Sequence, residues 1–267
     1  MAKLKTAYLI LVYGFLYLPM AMLIAYSFNP SKYATRWEGW TWEWYWSLAQ
    51  DLSLKQAALH SLTIAALAAS LGTLIGTLGA IGLYRYRFRG RALAQGLLLV
   101  SMMSPDIVTG VSLLVLFIAL RFDLGFWSLL LAHTSFCLPF VTVTVLSRLQ
   151  GFDQRLVEAA QDLGAGEAAA IHQIILPLSL PAIAAGWLLS FTLSLDDVVV
   201  SFFVTGPDFE VLPLRIYSMV RLGVKPEVNA LASLLFGLSL LLVSLSQWLL
   251  SGKGELIRPN QRLSGGE

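Results

Sequence analysis

Residues 153–177 read DQRLVEAAQDLGAGEAAAIHQIILP. This stretch decides the fold, because it is a charged, helix-forming insert in a chain that is otherwise largely apolar. Asp153 is suited to cap a helix start by accepting hydrogen bonds from free backbone N–H groups. Gln154 to Leu163 supplies the helix body, and Gly164 ends it, since glycine enters the left-handed conformation without a Cβ penalty. A second helix, Glu167 to Ile175, follows and is expected to stop before Pro177, because the residue ahead of a proline is pushed out of the helical region. The expected product is a short helix–turn–helix within a polar loop over residues 147–179.

Outward from that loop the chain becomes lipid-like. Six segments approach or exceed the roughly 20 apolar residues a helix needs to cross a hydrocarbon core. They run from Ala7 to Phe28, Ala57 to Tyr84, Ala92 to Leu120, Phe126 to Leu146, Leu180 to Val204 and Val228 to Leu250. Apolar residues make up 57% of the 267 residues and charged residues 13%, against about 25% charged in soluble domains. The expected architecture is an all-α integral membrane protein with six transmembrane helices. It forms a single transmembrane domain over 1–267, with its core at 57–250. Lys3 and Lys5 precede the first apolar run as in a signal peptide. The run is long and lacks a small-residue cleavage site, so it reads as an uncleaved helix.

Basic residues orient the chain. Lys3, Lys5, Arg148, Arg155, Lys253, Arg258, Arg262 and the cluster Arg85, Arg87, Arg89 and Arg91 fall on the side of the N-terminus. Lys32, Arg36, Lys55, Arg121, Arg215, Arg221 and Lys225 fall on the other. The excess places both termini in the cytoplasm. A net charge of +2, with its basic residues scattered over loops, leaves no nucleic-acid footprint. The first outside loop carries Trp37, Trp40, Trp42, Trp44 and Trp46, whose spacing suits an extended stretch. They read as interfacial anchors in membrane lipid, or as a docking surface for an external partner. Gly72, Gly76 and Gly79 in the second span permit close helix approach. The lone Cys137 admits no disulfide within the chain. His60, His133 and His172 form no metal-ligand pattern, and no metal is expected.

The loop resembles the EAA motif of ABC importer permeases. Glu158-Ala159-Ala160, three residues, Gly164, nine residues, Ile174, one residue and Leu176-Pro177 fill every fixed position. The runs Met103 to Val108, Phe136 to Phe140, Ser194 to Val200, Phe203 to Pro207 and Pro226 to Leu231 are similar to the permease subunits of spermidine/putrescine importers. The resemblance implies the type I permease fold and a cytoplasmic coupling helix that sits in a groove on an ATPase, with Leu163 beside the motif residues. It also implies a second related permease, two ATPase subunits, a periplasmic substrate-binding protein, polyamine cargo and residence in the bacterial inner membrane. This chain is not expected to be an enzyme. It has no phosphate-binding loop, Gly252-Lys253-Gly254 being too short, so ATP and magnesium would be used by the partner ATPase.

Three acids lie within the spans: Asp106, Asp196 and Asp197. Each costs about 2.5–3.5 kcal/mol near a helix centre, and no span holds a lysine or arginine to pair with them. Gly186, Ser190, Ser194, Asp197 and Ser201 share one helical face, small and polar as a water-filled pathway requires. Asp197 is expected on that pathway. Asp196 lies about 100° away, beside Thr192, and could face it too. Asp106 after Pro105 could either reach the pathway or cap a helix break. Trp187 and Phe191 could offer aromatic faces to an ammonium group. The alternatives are another small cargo, such as a different amine or ferric ion, or an ion-coupled secondary transporter using these acids. An ATPase-docking motif speaks against the latter.

Overall fold

Helices account for the regular structure of the described residues, as the apolar runs demand where backbone groups must be satisfied without water. The computed structural model describes residues 2–31, 36–151, 153, 155–221 and 226–251. Lys32, Lys225, Gln154 and the segment holding Gly252, Lys253, Gly254, Arg258 and Arg262 lie outside these. Two compact units form, one from Met1–Asp51 with Met219–Glu267 and one from Leu52–Ser218.

In the first unit, α1 (Ala2–Tyr26) and α2 (Glu43–Gln50) both pack against α12 (Pro226–Ser251). The tryptophan stretch is not extended throughout: Trp44 and Trp46 lie inside α2. Phe28 explains why. Its ring lies 4.9 Å from Trp42, 5.3 Å from Tyr45 and 5.5 Å from Trp40, and Trp44 Nε1 donates to the Asn29 carbonyl at 2.8 Å. This packing onto the end of α1 outweighs the alternating pattern.

The second unit holds α3 (Leu52–Arg85), α4 (Arg91–Met103), α5 (Asp106–Ala119), α6 (Phe126–Gln150), α7 (Arg155–Asp162), α8 (Glu167–Ala170), α9 (Leu176–Asp196), α10 (Val199–Val204) and most of α11 (Leu212–Arg221). The helices α3, α6 and α9 pack against one another. Glycine makes this possible. A Cβ on Gly76 would stand 3.0 Å from that of Val141, and one on Gly186 3.3 Å from Val141 Cγ1. Gly79 differs from its neighbours in the expected motif, because a Cβ there would meet Thr142 only at 3.9 Å.

Among the described residues, four helices are long and apolar enough to cross a membrane, or five if one bent pair counts as a single span. That pair covers the expected third span, broken at Pro105. Ser104 and Pro105 are extended, and α4 and α5 meet at 110°. Proline removes a backbone donor and excludes its predecessor from the helix. The fifth span is also interrupted: α9 ends at Asp196, Asp197 is extended, and α10 begins at Val199. The helix from Glu167 does not stop before Pro177. It runs on through a π-helical turn at Ile171–Ile175 into α9, and that wider turn accommodates the proline ring.

Candidate functional site: broken helices and a projecting knob

The break at Asp197 is built by side chains on three helices. Two backbone donors at the start of α10 lack helical partners, and the Asp197 carboxylate takes both: Oδ1 accepts from Val200 N–H at 3.2 Å and Oδ2 from Ser201 N–H at 2.7 Å. His133, 2% exposed on α6, completes the arrangement. Its Nδ1 lies 2.7 Å from Ser194 Oγ, and its Nε2 lies 3.0 Å from Ser201 Oγ and 3.6 Å from Asp197 Oδ2. One imidazole thus bridges the end of α9 and the start of α10. The partner of Asp197 is neither a lysine nor an arginine, the residue types that charge pairing in a span first suggests. His133 was a lone histidine with no spacing pattern, and only its position opposite Ser194 reveals the role.

The small polar face of α9 is therefore closed in this structure, contrary to the expected water-filled surface. Ser190, Ser194 and Asp197 are buried against α6, and Cys137 Sγ contacts the Ser190 carbonyl at 3.4 Å. Small residues on one face serve helix packing as readily as water. Asp196, by contrast, is exposed beside Thr192. Trp187 stacks on Phe191 at 5.2 Å and donates through Nε1 to Ser70 Oγ at 3.1 Å. Trp187 and Asp196 stand about 180° apart around α9, so this chain alone does not form an aromatic–acidic cage from them. Asp106 is exposed in the first turn of α5 at the other break, where a carboxylate is favoured by the helix dipole.

The second constellation lies on α7. Asp153 Oδ1 accepts from Arg155 N–H at 3.0 Å and starts the helix as expected. Gly164 ends it at φ +88°. The bonds Ala165 N–H to Ala160 O and Gly164 N–H to Gln161 O, both 2.9 Å, close a Schellman turn. Val157 pins the helix to a core that includes Leu149, Ala170 and Ile175, with Ile174 and Leu176 packed against it. The opposite side is bare: Leu163 is 90% exposed, Leu156 50%, and Glu158 and Ala159 are exposed beside the half-buried Ala160. Arg85 Nε meets Glu167 Oε1 at 3.3 Å, a partly exposed pair worth about 0–1 kcal/mol. Tyr86 hydrogen-bonds the same carboxylate, which holds the phenol above its ordinary pKa.

A family model described as "Binding-protein-dependent transport system inner membrane component" matches residues 72–251. The chain belongs to this family. The permease is 58% identical over 244 residues to the spermidine/putrescine transport system permease protein PotC of Haemophilus influenzae, covering 91% of this chain and 95% of that one. It is 59% identical to the protein of the same name from Escherichia coli strain K12, covering 91% and 92%. The putrescine transport system permease protein PotI of Escherichia coli K12 is 44% identical over 97% of this chain and 95% of its own. Among solved structures, a chain of a bacterial ABC transporter that imports the acidic polysaccharide alginate superposes with a TM-score of 0.71. It is 18% identical and covers 94% of this permease and 95% of that chain. A chain of the MetNI methionine ABC transporter gives 0.61 at 17% identity, covering 77% and 95%. These two likenesses concern the fold.

Proposed function

We propose that this permease is the membrane-spanning subunit of an ATP-driven, binding-protein-dependent importer of spermidine and putrescine. The observation that carries the reading is the 58–59% identity, over nine-tenths of the chain, to permeases named for that transport. Six spans carry it through the inner membrane with both termini cytoplasmic. A second, related permease completes the pathway, and a periplasmic binding protein delivers cargo. Two ATPase subunits use ATP and magnesium, and one receives α7, with Leu163, Ala159, Ala160 and Glu158 entering its groove and Gly164 turning the chain out again. Ile174, Leu176 and Pro177 join that knob to α9.

A polyamine is a chain of ammonium groups, and acids exposed at broken helices are suited to it. Asp196 and Asp106 meet the cargo, whereas Trp187, on the opposite face of α9, packs against α3 through its bond to Ser70. Asp197, Ser194 and Ser190 shape the pathway by holding the break between α9 and α10. The test is uptake of labelled putrescine by the reconstituted complex with unlabelled competitors. Spermidine and putrescine should compete at micromolar concentration, whereas ferric ion and amino acids should not. Competition by ferric ion alone would assign a different cargo.

A further inference from the structure

The elbow between α3 and α4 separates two cavities of opposite chemistry. Residues 86–88 are non-helical, and Gly90 turns the chain at φ +95° into α4. Arginine alternates with aromatic residues here, and Arg85 and Arg87 line one cavity while Phe88 lines the other. On one side is a polar cleft of about 410 Å³ lined by Arg85, Arg87 and Arg91 with Glu158 among the other residues. Arg85 already meets Glu167, so two guanidinium groups remain for one carboxylate. Arg91 Nε is buried and has no hydrogen-bond partner among the described residues. A buried charged donor without an acceptor is costly, which points to a missing anionic oxygen. On the other side is an apolar groove of about 590 Å³ lined by Phe88, Ile75, Gly79, Leu97 and Leu138 among others.

We propose that this elbow binds an anionic phospholipid, with the headgroup phosphate held by Arg87 and Arg91 and an acyl chain lying in the groove beyond Phe88. Guanidinium groups match phosphate oxygens in pairs. The apolar groove, on the far side of the same short segment, distinguishes an amphiphile from a free anion. The proposal rests on the reading that the chain spans a membrane with this elbow at the cytoplasmic surface, where anionic lipid is available. Glu158 and Val157 line the cleft, so the headgroup sits against α7 and steadies the knob that docks the ATPase.

Native mass spectrometry of the detergent-purified complex tests this without any transport assay. The complex is titrated with dioleoyl phosphatidylglycerol or dioleoyl phosphatidylcholine, and separately with inorganic phosphate. The wild type should retain phosphatidylglycerol in preference to phosphatidylcholine. Arg87→Gln with Arg91→Gln should weaken phosphatidylglycerol retention by roughly 25-fold. Gly79→Leu fills the groove without touching charge, in a place where a Cβ meets only ordinary contacts, and should weaken retention as well. Equal retention of the two lipids by the wild type overturns the proposal, and this comparison needs no variant. So does displacement by equimolar phosphate with Gly79→Leu binding normally, which would mark a simple anion site. A complex that selects phosphatidylglycerol yet imports no polyamine would leave the lipid site standing and remove the transport reading.

Discussion

Asp196 and Asp197 are neighbours in sequence and opposites in setting. Asp197 serves two backbone donors and faces His133, while Asp196 is exposed. Asp197→Asn turns one acceptor into a donor that meets N–H groups, at a cost of about 2 kcal/mol. It should lower the melting temperature of the purified complex by roughly 4–8 °C. Asp196→Asn should leave melting unchanged and raise the spermidine concentration for half-maximal uptake by about tenfold. Equal melting of both variants would show that the Asp197 arrangement adds no stability. The acids themselves were legible in the sequence, because ionisable residues in spans are costly enough to stand out. Their division of labour was not, since a 100° difference in direction says nothing about which side another helix covers. His133 was missed for the same reason: its partners lie on α9 and α10, far away along the chain.

At the scale of elements, α7 was the most legible. Asp153, the glycine stop and the fixed spacing gave its limits to within a residue, because caps and Schellman turns are local chemistry. The breaks were half legible. Pro105 marked the interruption before α5, but the interruption at Asp197 has no proline or glycine and depends on its capping network. The continuation through Pro177 was misread because a π-helical turn absorbs what would otherwise stop a helix. The exposed Leu163 and left-handed Gly164 lead to a prediction for the knob. Gly164→Val forces a β-branched residue into φ +88°, at about 1–2 kcal/mol, and moves the end of α7. Stimulation of ATP hydrolysis by loaded binding protein should fall severalfold, while the permease still inserts and melts only a few degrees lower. Full stimulation together with full uptake would show that α7 is not the coupling element.

For the whole molecule, topology and energy source remain the decisive properties. In the proposed topology the arginines of the α3–α4 elbow lie with Ser147 and α7 on the cytoplasmic side. In a Cys137→Ser background, a membrane-impermeant thiol reagent applied to intact cells should label Glu38→Cys and spare Ser147→Cys, both at exposed positions. Labelling of Ser147→Cys alone would invert the topology. The overall architecture was legible because bilayer thickness sets span length and composition marks each span. The break after Met103 turns the third apolar run into a bent pair, a result that span counting cannot anticipate. In the proposed function ATP, not an ion gradient, drives polyamines through this permease. Labelled spermidine uptake into proteoliposomes carrying the complete complex tests it most directly, with binding protein outside and either ATP or an imposed proton or sodium gradient. Accumulation is expected with ATP inside and none with a gradient alone. Accumulation driven by a gradient without ATP would contradict it.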